Sequence, residues 1–143
     1  MTDSSWPGAL ADRNKPESFR ARTLQASLTV KDLQKSLAWY RDVVGFHPGT
    51  QYDRQGTVYA VALEAGSAQI LITQDDGSRG LDRPKGDGFS LHFTTTQSVD
   101  EIADRIKANG WTLDAEPADT PWGGRAFRFR DPDGFRIAIS SAR

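Results

Sequence analysis

Apolar and polar positions in this chain follow two periods that alternate with each other. Residues 24–30 alternate strictly, with Leu24, Ala26, Leu28 and Val30 on one face and Gln25, Ser27 and Thr29 on the other. Period two over seven residues predicts a half-buried strand. The period then lengthens. Leu33, Leu37, Tyr40 and Val44 recur at helical spacing, Asp32 stands where an N-cap is needed, and Gly45 sits at the position that closes a helix. Residues 46–52, 57–64 and 68–73 read as three further strands, separated by turn-forming residues at 53–56 and 65–67. The order so far is β-α-β-β-β.

A Gly-, Asp- and Arg-rich link follows, and beyond it the pattern repeats. Phe89, Leu91 and Phe93 alternate with Ser90, His92 and Thr94. Ser98 and Glu101 form a capping box, and Val99, Ile102 and Ile106 make an apolar stripe that ends at Asn109-Gly110. Residues 111–116, 125–130 and 135–140 predict three more strands. The last two share the turn Asp131-Pro132-Asp133-Gly134, where proline presets φ early and glycine accepts a positive φ late. Phe127 and Phe129 alternate there with Arg128 and Arg130, and Ile137 and Ile139 with Arg136 and Ala138, so one face is apolar and the other carries arginines. Gly45 and Gly110 lie 65 residues apart, and that offset pairs Gln25 with Ser90 and Ser27 with His92. The chain divides into an arm (1–21), a first module (22–74), a linker (75–88) and a second module (89–143). The arm is expected to be flexible, with Trp6 as its one large apolar residue.

Composition narrows the chemistry. A net charge of −1, with both signs mixed along 143 residues, gives no electrostatic reason to expect nucleic acid or an anionic membrane. With no cysteine, disulfides, thiolate catalysis and thiolate zinc sites are excluded, and two histidines cannot build a histidine-rich metal site. No run of apolar residues reaches the ~20 a membrane helix requires, and the N-terminus lacks the apolar stretch of a signal peptide. These features predict a cytoplasmic protein. No phosphate-binding glycine loop or nucleophile elbow is present.

The run VKDLQKSLAWYRDVVGF, together with FRFRDPDGFRIAI at the end of the second module, resembles the vicinal oxygen chelate superfamily of glyoxalases, extradiol dioxygenases and bleomycin-resistance proteins. The resemblance spans about residues 24–140. It implies an α+β fold, two βαβββ modules in tandem forming curved mixed sheets around a cavity with helices outside. In metal-dependent members, four inward positions carry His, Glu or Gln. By the resemblance they fall here on Gln25, on Ile70 or Leu71, on Ser90 and on Ala138. A catalytic divalent ion ordinarily takes three or more protein ligands from His and carboxylates. The usual metal box is therefore absent, and no cofactor is expected.

The same polar face nominates a ligand site. His92, two residues from Ser90, should point into the cavity, as a ligand contact, a general base or a hydrogen-bonded sheet residue. Trp122, in the Gly-flanked stretch 120–125, could stack on a flat ligand or plug the end of the sheet. Arg128 and Arg136 would suit an anionic or carbonyl-bearing ligand, or else be solvated. The expected site is Gln25, Ser27, Ser90, His92, Trp122, Arg128 and Arg136. Resemblance to the bleomycin-resistance proteins implies a metal-independent binder of a flat or aromatic compound, and a homodimer. The alternatives are a lyase, isomerase or dioxygenase with a non-standard metal site through Gln25 and His92, and a protein–protein module with a vestigial cavity.

Overall fold

The computed structural model describes residues 19–141. The expected arm, including Trp6, lies almost entirely outside the described residues. The order of elements is β1 (Ala26–Val30), α1 (Leu33–Trp39), β2 (His47–Arg54), β3 (Thr57–Ala65), β4 (Ala68–Gln74), β5 (Ser90–Thr95), α2 (Val99–Ala108), β6 (Ala115–Asp119), β7 (Arg125–Arg130) and β8 (Arg136–Ser141). Two four-stranded sheets result, ordered β1-β4-β3-β2 and β5-β8-β7-β6. In each, the first strand runs parallel to the last and the remaining pairings are antiparallel. The repeat read from the residues is thus a repeat of topology: two βαβββ modules of an α+β fold.

Local chemistry fixes the helix ends as expected. The Asp32 carboxylate accepts from the Lys35 N–H at 3.2 Å, and the Ser98 hydroxyl from the Glu101 N–H at 3.2 Å. The first helix does not stay α-helical to its end. Tyr40–Val44 widens into a π-helical turn, and the N–H groups of both Gly45 and Phe46 reach the Tyr40 carbonyl at 2.9 Å. Gly45 leaves that turn at φ 106°, a conformation that favours glycine.

The apolar faces of both sheets close on one shared core. Leu28, Val30, Leu63 and Ile72 from the first module and Ile106, Phe127, Phe129 and Ile137 from the second belong to a single buried cluster. Aromatic edges join the halves: Trp39 meets Trp111 at 5.1 Å between ring centroids, and Phe46 meets Phe93 at 5.6 Å. Two expectations are corrected here. The strand expected at 111–116 is Ala115–Asp119, because Trp111 leaves the sheet to pack on Trp39 and donates its indole N–H to the Arg130 carbonyl at 2.7 Å. Leu24, expected on the inner face of the first strand, precedes β1 and is 92% exposed.

The link between modules has no regular structure, yet it is anchored. Asp75 is buried and accepts from the Gly77 N–H. The Lys85 ammonium lies 2.8 Å from Asp75 and 3.7 Å from Asp133, with all three side chains buried. Asp133 also accepts from the Lys31 N–H at 2.8 Å, so the link, the end of β1 and the β7–β8 turn meet at one ionic cluster. The Lys85 ammonium, paired with Asp75 at 2.8 Å, holds the Asp75 carboxyl down at about 2.

Candidate functional site

Strand register decides which polar side chains meet. Across β5, β8 and β7, the residues His92, Ala138 and Arg128 stand side by side, and the next row on the same face is Ser90, Arg136 and Arg130. Neighbouring strands lie about 4.8 Å apart, so His92 and Arg128 flank Ala138 across a notch roughly 10 Å wide at the backbone. Ala138 is buried as its floor. These residues, with Asp114, line a concavity of about 270 Å³ on the second sheet. His92 Nε2 and Ser90 Oγ are 3.0 Å apart.

Gln25 lies elsewhere. It donates through Nε2 to Gln69 Oε1 at 3.1 Å, and the pair lines a second concavity of about 470 Å³. Leu91, His92 and Phe93 of β5 close that concavity, which makes His92 common to both. Ser27 lies on the polar face of β1, opposite Leu71 of β4, and lines neither concavity. Trp122 lines neither. It projects, 65% exposed, from the β6–β7 turn, where the Thr120 and Gly124 backbones bond each other at 2.8 Å. Of the seven expected site residues, Ser90, His92, Arg128 and Arg136 come together in one place.

Gln69, Asp114 and Arg130 are among the lining residues outside the expected site. Gln69 is placed by the parallel register of Ala26 with Ile70, which no local pattern reveals. The same register puts Leu71 on the polar face beside Ser27 and buries Ile70 in the core. Asp114 was hidden inside a misplaced strand; its carboxylate pairs with Arg130 Nε at 2.9 Å. Arg130 lies in the row of Ser90 and Arg136, a placement set by its pairing with Arg136 across β7 and β8.

At the positions that the resemblance assigns to a metal, with Leu71 taken over Ile70 because it lies on the polar face, the side chains are an amide, an isobutyl group, a hydroxyl and a methyl: Gln25, Leu71, Ser90 and Ala138. Among the described residues, no three His, Asp or Glu side chains are grouped to hold an ion. This donor set does not fit a divalent metal centre, which draws three or more ligands from imidazoles and carboxylates.

Comparison with known proteins gives the family. The model of the Glyoxalase/Bleomycin resistance protein/Dioxygenase superfamily matches residues 22–139. The lactoylglutathione lyase of Salmonella typhimurium is 27% identical over 128 residues, covering 85% of this chain and 93% of that protein. Among solved structures, TnmS3, an antibiotic-binding protein from a Streptomyces species, superposes with a TM-score of 0.66 at 25% identity, covering 85% of this chain and 95% of that one. A superfamily member from Sphaerobacter thermophilus gives a TM-score of 0.66 at 27% identity, covering 85% and 97%. With the tandem βαβββ topology and a match over most of its length, this chain belongs to the glyoxalase/bleomycin resistance protein/dioxygenase superfamily.

Proposed function

We propose that this chain is a metal-independent small-molecule-binding protein that sequesters a flat or partly aromatic compound. The observation that carries the reading is the donor set: at the four positions where relatives of this fold hold an ion, only the Gln25 amide is a plausible ligand. A protein without a Lewis acid or a nucleophile can still bind, and the similarity to an antibiotic-binding protein supports that use of the fold. The proposed site draws on Ser90, His92, Arg128 and Arg136 in the concavity of the second sheet, with Gln25 in the neighbouring concavity that His92 also lines, and without the expected Ser27 and Trp122. We also propose, from the resemblance alone, a cytoplasmic homodimer. No helix among the described residues is long and apolar enough to cross a membrane.

One observation favours a second reading. The matched Salmonella protein is named a lyase, and over 85% of this chain the similarity runs through the site. An enzyme would need its ion to be held through Gln25 and His92, in a way the donor set does not predict. Elemental analysis of protein purified without chelator or metal-bearing resin separates the two. Less than about a tenth of an equivalent of transition metal supports the binder, because a closed site retains its ion. About one equivalent, lost on chelation, supports the enzyme. A saturable thermal shift with flat aromatic compounds, weakened by His92→Ala, then tests binding itself; failure of every such compound removes the proposal.

A further inference from the structure

We propose that the concavity on the second sheet selects for a negatively charged group, a carboxylate or a phosphate, on the compound it binds. The inference deepens the binding reading above and rests on it for the existence of a ligand. It starts from charge. The concavity is lined by Arg128, Arg130 and Arg136 against one carboxylate, Asp114, so leaving His92 aside its lining carries two positive charges in excess. The whole chain has a formal net charge of −1. The excess is therefore local to this face.

Pairing sharpens the point. Arg130 is neutralised by Asp114 at 2.9 Å. Arg125, at the start of β7, is held by Asp100 and Asp119 at 2.9 and 3.0 Å. The side chains of Arg128 and Arg136, among the described residues, have neither an ion pair nor a hydrogen bond, although both residues are paired through their backbones in the sheet. Arg136 stands directly opposite Arg130 across β7 and β8, but the Asp114 carboxylate is engaged by Arg130 and none among the described residues is paired with Arg136. Arg128 and Arg136 lie on adjacent strands, two residues apart in register, around a methyl floor that leaves room for a group smaller than a side chain. Their forked N–H donors match the oxygen pairs of carboxylate or phosphate. Ser90, the strand neighbour of Arg136, adds a hydroxyl from the far side.

The test compares probes of one shape and different charge. Saturable binding of 2-naphthoate, 2-naphthyl phosphate, 2-naphthamide and 2-naphthylmethylammonium is measured by titration calorimetry up to about 10 mM. At least one anion should bind about tenfold or more tightly than the amide, and the preference should shrink as salt rises. Which anion wins identifies carboxylate or phosphate. Arg128→Gln and Arg136→Gln should each weaken the anion about tenfold and leave the amide unchanged. Arg79→Gln, an exposed arginine outside the concavity, should change neither. The proton NMR signals of the Arg128 and Arg136 side chains should also shift on addition of acetate or phosphate alone.

Equal binding of amide and anions overturns the anion inference while the binding reading survives. Preference for the ammonium probe overturns it as well. Shifts of the two arginines with simple anions, without binding of any naphthalene, keep the anion site and remove the aromatic ligand. No binding and no shift remove both.

Discussion

The Tyr40 hydroxyl donates a 2.7 Å hydrogen bond to Asp131 Oδ2, tying the helix of the first module to the β7–β8 turn of the second. Both residues are buried. The other carboxylate oxygen, Oδ1, accepts from the N–H groups of Asp133 and Phe135, each at 2.9 Å. One side chain thus shapes the turn and receives the neighbouring module. Burial pushes the Tyr40 hydroxyl well above its ordinary value, and burial likewise raises the Asp131 carboxyl. Tyr40→Phe keeps the ring and its edge contacts with Trp39 and Phe46 but leaves a buried oxygen without its donor. The expected loss is about 1–3 kcal/mol, read from denaturant midpoints with the slope unchanged. A loss below about 0.5 kcal/mol would mean that water replaces the phenol and that the contact does not clamp the modules.

The ionic cluster under the linker makes a prediction in pH. The Asp75 carboxyl is held at about 2 by the Lys85 ammonium beside it, then by the Gly77 N–H, against an ordinary value of 3.8. A depressed folded value means the unfolded chain binds the proton more readily. Its contribution is therefore complete above about pH 4 and is lost as pH falls toward 2. Asp131 acts in the opposite sense: its raised value favours the native state at low pH, and that contribution is lost as pH climbs from 3.8 through the folded value. The net acid transition is expected to steepen below pH 4 because Asp75 titrates there. Asp75→Asn should flatten stability between pH 4 and 2 while lowering it at neutral pH. A native-like pH profile in the variant would show that groups other than Asp75 carry the acid transition.

The glycines of the linker separate two kinds of strain. Gly86 has φ +81°, and a Cβ there would come within 3.0 Å of Phe135 Cα and 3.1 Å of the Gly134 carbonyl. Both neighbours are backbone and cannot swing away. Gly80 has φ +88° with nothing within 4 Å. Gly80→Ala should cost about 1 kcal/mol, the penalty of a left-handed alanine alone. Gly86→Ala should cost clearly more, about 2–4 kcal/mol, since the linker must lift off the turn as well. Thermal unfolding of the two variants under one condition measures the difference. Equal losses would place the linker farther from the turn than the Gly86–Phe135 approach requires.

Much of the fold was legible because its signals are local. Asp32, Ser98, Gly45, Gly110 and the Asp131–Gly134 turn each announce themselves within a few residues, and the change from period two to period 3.6 orders the elements between them. What the residues could not disclose depends on pairing between distant strands. Whether Ile70 or Leu71 faced the polar side hung on the register of β1 with β4. Trp111 and Leu113 alternate with polar residues as a strand would, but Trp111 packs across the module boundary on Trp39. Arg128 and Arg136 share one face with Ser90 and His92, and that face is readable from the period-two alternation of β5, β7 and β8. Gln25 and Trp122 were grouped with them by a cavity assumed to be common, and the structure separates them from it.

The donor argument can be tested by building what is missing. His92 already borders the concavity of the second sheet, and Ser90 and Ala138 are its nearest neighbours, the first two residues along β5 and the second directly across on β8. Ser90→His with Ala138→Glu would set two imidazoles and a carboxylate on one face, neighbouring strands being about 4.8 Å apart. Three such ligands are the minimum of a catalytic zinc site. The double variant is expected to retain about one equivalent of zinc after dialysis, and the native protein less than about a tenth. Because Ala138 is buried, circular dichroism and the unfolding midpoint are measured alongside, and Ser90→His alone serves as the two-ligand control. A folded double variant that fails to hold zinc would mean that the backbone here cannot present a metal triad, whatever side chains it carries. Retention of a full equivalent by the native protein would mean that Gln25 and His92 suffice, and the binding reading would give way to the enzymatic one.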